Sequence, residues 1–122
     1  MDGWSGTITG AAINGGTLYI TSGTYNANGG RQVVYNNAGT VYIQGGELEG
    51  NASARAAVHN LNNGKLYITG GTIVSNTLYA IYNEKGTLDI GNKDNVCNQI
   101  SPFIIGKTYG IIANNKYNFN VY

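Results

Sequence analysis

The sequence predicts an all-β fold, a parallel β-solenoid, from three observations. Ten residues recur almost unchanged as GTLYITSGTY (16–25), GTVYIQGGEL (39–48) and GKLYITGGTI (64–73), and a fourth copy starts at GTLDIGN (86–92). A short apolar stretch ending in Asn recurs as AAIN, VVYN, AVHN, AIYN and IIAN, with Asn at 14, 36, 60, 83 and 114; the first three intervals are 22, 24 and 23 residues and the fourth is 31. Composition agrees: among 122 residues there are 19 Gly and 10 Tyr but one Pro, 42% are hydrophobic and only 11% charged. Tyr and Thr suit strands, while Gly and Asn suit turns. A period of about 23 residues holding three short strands is the mark of stacked coils, none of which has a core alone.

Each element follows from period-two alternation. In the strand after each Gly-Thr, Leu18, Val41, Leu66 and Leu88 form one inward row and Ile20, Ile43, Ile68 and Ile90 a second. In the next strand Tyr25, Leu48 and Ile73 point inward, joined by Ile8. In the third, Val34, Val58 and Ile81 do so, joined by Ile112. The recurring amides at Asn14, Asn36, Asn60, Asn83 and Asn114 are expected to form an inward ladder, satisfying one another and the turn backbone. A plain turn role, using the tolerance of Asn for the left-handed conformation, is the alternative. The longer fourth interval places an irregular insert around 91–103 in a single domain of about five coils spanning 1–122.

Formal charge is +1 with no run of Lys or Arg, which argues against nucleic acid and anionic membranes as partners, since both need a basic patch. No stretch reaches the length of an apolar membrane span, so membrane insertion is not expected. The lone Cys97 forms no intrachain disulfide. MDGWSGTITG lacks the charged start and apolar run of a secretory leader; either export takes another route or the chain is a segment of a longer one.

IYNEKGTLDIGN and GGTIVSNTLYAIYN resemble the repeats of right-handed parallel β-helices in large, repetitive, adhesin-like bacterial cell-surface proteins. SPFIIGKTYGI (101–111) followed by NFNVY (118–122) is also similar to that family, in which the block commonly runs on into Asp-Gly. The resemblance implies right-handed winding and an extracellular or cell-surface location. It implies no catalytic motif. It also makes the two ends look complementary. Read end to start, the chain gives FNVY then DGWSGTITG, with Phe119 and Val121 in the Leu and Ile slots and Asp2-Gly3 in the Gly-Gly slot. Asp2, Gly3, Trp4, Ile8, Phe119, Val121 and Tyr122 are therefore the expected contacts between copies stacked head to tail, with no capping element between them. One unit cut from a tandem array is the alternative.

Parallel β-helices include enzymes acting on acidic polysaccharides, which need paired carboxylates or a base with a cation. Glu47 and Glu49 both flank inward Leu48 and face outward, with Thr24, Asn26, Thr72 and Val74 one coil away and no second carboxylate. His59 occupies the slot of Tyr35 and Tyr82 and is expected to stack between them. Cys97 lies in the insert without a placed base and reads as a small apolar filler. NKDN lacks the acidic spacing of a calcium loop, so no metal or other cofactor is expected.

The outward side of the Leu/Ile strand carries Thr17, Tyr19 and Thr21 over Thr40, Tyr42 and Gln44, then over Lys65, Tyr67 and Thr69. Such a column suits either cross-strand stabilisation or a sugar-binding face. Bulky Tyr in its middle row argues against ice binding. The expected role is structural and non-catalytic, a stackable segment of a surface stalk or fibre whose partners are further copies. A glycan-binding module using the Tyr column is the alternative, and a polysaccharide lyase or hydrolase comes third.

Overall fold

The computed structural model describes residues 5–8, 11–27, 30–91, 102–114 and 118–122. Five coils follow one another, each with three short strands. They are β1 (Ser5–Ile8), β2 (Ala11–Asn14) and β3 (Thr17–Ile20); β4 (Thr24–Ala27), β5 (Val34–Asn37) and β6 (Thr40–Ile43); β7 (Glu47–Gly50), β8 (Val58–Leu61) and β9 (Gly64–Ile68); β10 (Thr72–Ser75), β11 (Tyr79–Asn83) and β12 (Gly86–Ile90); β13 (Phe103–Gly106), β14 (Tyr109–Ala113) and β15 (Phe119–Val121). Each coil gives one strand to each of three sheets. Sheet A runs β1-β4-β7-β10-β13, sheet B β2-β5-β8-β11-β14 and sheet C β3-β6-β9-β12-β15. Every neighbouring pair is parallel, as in a parallel β-solenoid.

The core lies between the sheets as stacked rows. In sheet C, Leu18, Val41, Leu66 and Leu88 share one register position and Ile20, Ile43, Ile68 and Ile90 another. Tyr25, Leu48 and Ile73 in sheet A, and Val34, Val58 and Ile81 in sheet B, are fully buried. Burying each such side chain contributes about 1.5–3 kcal/mol, which a lone coil has no means of obtaining. The ladder bonds continue around the corner after sheet C, where Gln44, Thr69 and Gly91 N–H groups donate to the Ile20, Ile43 and Ile68 carbonyls. That corner explains the repeated Gly-Gly. Gly46 and Gly71 have φ of 87° and 85°, and a Cβ on Gly71 would lie 2.9 Å from the Gly45 carbonyl oxygen.

Four sequence expectations shift by a residue or more. Gly6, not Ile8, pairs with Tyr25, and Ile8 pairs with Ala27. Ile111, not Ile112, pairs with Ile81; Ile112 lies beside outward Tyr82. Asn14 pairs with Asn37 rather than Asn36, because it stands three residues before Thr17 whereas Asn36 stands four before Thr40. Asn114 falls one position beyond Ala113, which takes the place beside Asn83. For Ile112, Asn14 and Asn114 the strand register overrides alignment on the Asn letter. Of the insert expected around 91–103, residues 92–101 lie outside the described residues, and Phe103 begins β13. Cys97, Asp2, Gly3 and Trp4 lie outside the described residues.

Candidate functional site

The amide ladder is three members long. Asn36 Nδ2 donates to Asn60 Oδ1 at 2.7 Å and Asn60 Nδ2 to Asn83 Oδ1 at 2.9 Å, all three residues being fully buried. Each Nδ2 also reaches a turn carbonyl: Gly39 from Asn36, Gly64 from Asn60 and Gly86 from Asn83. The ladder is directional, so its first acceptor, Asn36 Oδ1, is left without a partner. The register places Ile13 beside Asn36 and Ala113 beside Asn83, and neither can extend the row. A second, exposed ladder escaped the sequence reading: Asn62 Nδ2 donates to Asn37 Oδ1 at 2.7 Å and Asn37 Nδ2 to Asn14 Oδ1 at 3.0 Å. Its signal was the left-handed turn, with Ala38 and Asn62 at φ of 61° and 55°.

On the outside of sheet C the three tyrosines stack on one another. Tyr19 and Tyr42 ring centroids are 4.6 Å apart with planes 7° from parallel, and Tyr42 and Tyr67 are 5.2 Å apart at 27°. Both faces of Tyr42 are therefore covered by neighbouring rings. Thr17, Thr40 and Lys65 flank the column in one register row. Asp89 ends it, accepting a 2.9 Å bond from Asn120. Burial, then the nearby Asp89 and Tyr42, raise the Tyr67 hydroxyl above its ordinary pKa.

A second aromatic column runs up sheet B. His59 lies edge-on to Tyr35 with centroids 5.3 Å apart and stacks on Tyr82 at 5.0 Å and 15°. Sequence spacing missed the polar partners of His59. Gln32, itself buried, places Nε2 3.2 Å from His59 Nδ1; an amide nitrogen only donates, so Nδ1 accepts and the ring proton sits on Nε2. That nitrogen lies 3.4 Å from Glu84 Oε1 without an aligned hydrogen bond. Burial lowers the pKa of His59, opposed by Glu84 and assisted by Arg55. With Nδ1 engaged by Gln32 and Nε2 buried against Glu84, the imidazole presents no open nitrogen to a substrate.

Glu47 and Glu49 flank buried Leu48, with Thr24 and Asn26 on one side and Thr72 and Val74 on the other. Glu49 accepts a 2.7 Å bond from Asn76. Among the described residues there is no group of three or more His, Cys, Asp or Glu. No helix among them is long and apolar enough to cross a membrane.

The last coil is the most unusual surface. Phe119 pairs with Leu88 and Val121 with Ile90, so both occupy inward rows. Yet Phe119 is 39% and Val121 68% exposed, against 0% for Leu88 and 7% for Ile90. Phe103, Ile105, Tyr109 and Tyr122 of the same coil and its end are also exposed. Comparison of the chain with protein-family models, curated proteins and solved structures gives no match.

Proposed function

We propose that this chain is a structural, non-catalytic building block of a bacterial surface or extracellular fibre, stacking head to tail with copies of itself. One observation carries the reading: Phe119 and Val121 take the register positions of buried Leu88 and Ile90 on the last strand of sheet C, yet are open to solvent. The strand edges there, β13, β14 and β15, belong to the same three sheets that end in β1, β2 and β3 at the opposite face. A second copy thus continues all three parallel sheets by the step that relates coils within the chain. Such a contact is heterologous and does not close, so it propagates. Burying Phe119 and Val121 at the joint is worth about 1.5–3 kcal/mol each before the cost of association. The bacterial surface setting is carried over from the sequence resemblance alone, and no compared family or protein adds to it.

A glycan-binding role for Tyr19, Tyr42 and Tyr67 has less support. Stacking on a sugar needs an open ring face, and both faces of Tyr42 are taken by its neighbours. Sedimentation velocity and negative-stain microscopy test the stacking reading. The wild-type chain is expected to lengthen with concentration. Val121→Lys, which sets an ammonium on the open face, is expected to remain a folded monomer. A wild-type chain that stays monomeric at every concentration, or a Val121→Lys chain that assembles equally well, overturns it.

A further inference from the structure

Resting on that stacking reading, we infer that the joint has a single register, in which Asn120 of one copy lies beside Tyr19 of the next and both apolar rows of sheet C cross the joint unbroken. Within the chain the sheet C rows run Leu18, Val41, Leu66, Leu88, Phe119 and Ile20, Ile43, Ile68, Ile90, Val121. One further step sets Phe119 on Leu18 and Val121 on Ile20 of the next copy. A slip of one residue turns the whole edge strand inside out, setting Phe119 and Val121 on the solvent face. That leaves slips of two residues as the real competitors.

The other two sheets decide against those. In sheet A, the row of Ile73 holds Ile104 at one end and Gly6 at the other; Gly106 stands beside Ser75, and Ile8 beside Ala27. In register, Ile104 therefore meets Gly6 and Gly106 meets Ile8. In sheet B, the row of Ile81 ends in Ile111 and begins in Ala11, while the amide row ends in Ala113 and begins in Ile13. In register, Ile111 meets Ala11 and Ala113 meets Ile13. Each sheet thus faces one large residue with one small residue, twice, with the order inverted between the two ends. A slip of two residues sets Ile104 on Ile8, or Ile111 on Ile13, and leaves the small positions facing one another or nothing. Overfilling one position while emptying another is costly in a closely packed core.

Polarity at the joint agrees with burial. A terminal coil that faces water normally carries a polar outer surface. Here the six inward positions of the last coil are Ile104, Gly106, Ile111, Ala113, Phe119 and Val121. The buried amide row stops short of both ends, so joining copies sandwiches no unpaired amide between Ala113 and Ile13. Outside the core, the same register sets Asn114 beside Asn14, the end member of the exposed amide ladder.

Cysteine pairs read this register directly. In a Cys97→Ser background, chains carrying Asn120→Cys are mixed with chains carrying Tyr19→Cys, Thr17→Cys or Thr21→Cys, oxidised mildly, and resolved on non-reducing gels. All four positions are exposed, and circular dichroism of each variant confirms its fold. In register, the 19/120 pair has Cα atoms about 4.8 Å apart, inside disulfide range; the 17/120 and 21/120 pairs lie about 8 Å apart, outside it. The expected result is at least tenfold more 19/120 dimer than either alternative. Filaments in which 17/120 or 21/120 crosslinks as well as 19/120 overturn the register while leaving stacking intact. Absence of assembly by microscopy in all mixtures and in the wild type removes the stacking reading and the register with it.

Discussion

Asn36 and Asn60, 24 residues apart in sequence, are joined side chain to side chain by a 2.7 Å hydrogen bond inside the solenoid. Asn60 is the pivotal member. It accepts from Asn36, donates to Asn83, and reaches the Gly64 and Thr87 carbonyls on successive coils. Asn36 does less, since its own oxygen has no partner. Asn60→Ala is therefore expected to cost roughly 2–4 kcal/mol by stranding buried groups on both sides. Asn36→Ala should cost less. Urea unfolding of the two variants checks the order, and equal losses would contradict a directional ladder.

The glycine that opens sheet C strands serves the same ladder. A Cβ on Gly86 would collide with the Gly64 carbonyl oxygen and lie 2.7 Å from Asn60 Nδ2. Neither backbone nor a buried, bonded amide can yield cheaply. Gly86→Ala is expected to destabilise by about 3 kcal/mol or more. Gly15→Ala, with nothing near its Cβ but a φ of 77°, should cost only about 1 kcal/mol of backbone strain. Comparing thermal midpoints distinguishes the two.

His59 gives the solenoid a pH dependence of definite sign. Burial lowers its pKa from the ordinary 6.5 and Arg55 adds to this, while Glu84 opposes it. The folded state thus binds fewer protons than the unfolded chain once the pH falls below about 6.5, and stability drops as the pH falls further towards the lowered pKa. The slope is at most about 1.4 kcal/mol per pH unit for one proton. Because His59 is the single histidine, thermal midpoints between about pH 7.5 and 5.5 should fall for the wild type and stay nearly level for His59→Gln. A wild-type midpoint that rises on acidification would mean that the Glu84 contact dominates.

The Tyr column is expected to act on stability alone. Tyr42→Ala removes two ring stacks and should cost about 1–3 kcal/mol. Retention on polysaccharide affinity gels should not change. Loss of retention in a folded Tyr42→Ala chain would restore the glycan-binding reading.

Much of this was legible in the sequence because a solenoid writes its rows at a fixed spacing. Leu66 and Ile68, Leu48 and Ile73, and the outward Tyr19, Tyr42 and Tyr67 all follow from period two and the repeated letters. What misled was turn length. Asn14 looks identical to Asn36 in the repeat, but one fewer residue separates it from the next strand, and the backbone register counts residues rather than letters. Gln32 and Glu84 were invisible for a related reason. They flank His59 from neighbouring coils, outside its strand register, so no periodic rule brings them together.

Mass per unit length of the purified assemblies, measured by scanning transmission electron microscopy, tests the central claim most directly. Five coils at about 4.8 Å each make one chain span about 24 Å along the axis, so end-to-end stacking predicts one 12.9 kDa chain per about 24 Å. Particles that keep the mass of a single chain at every concentration, or filaments carrying a different mass over that length, would contradict it.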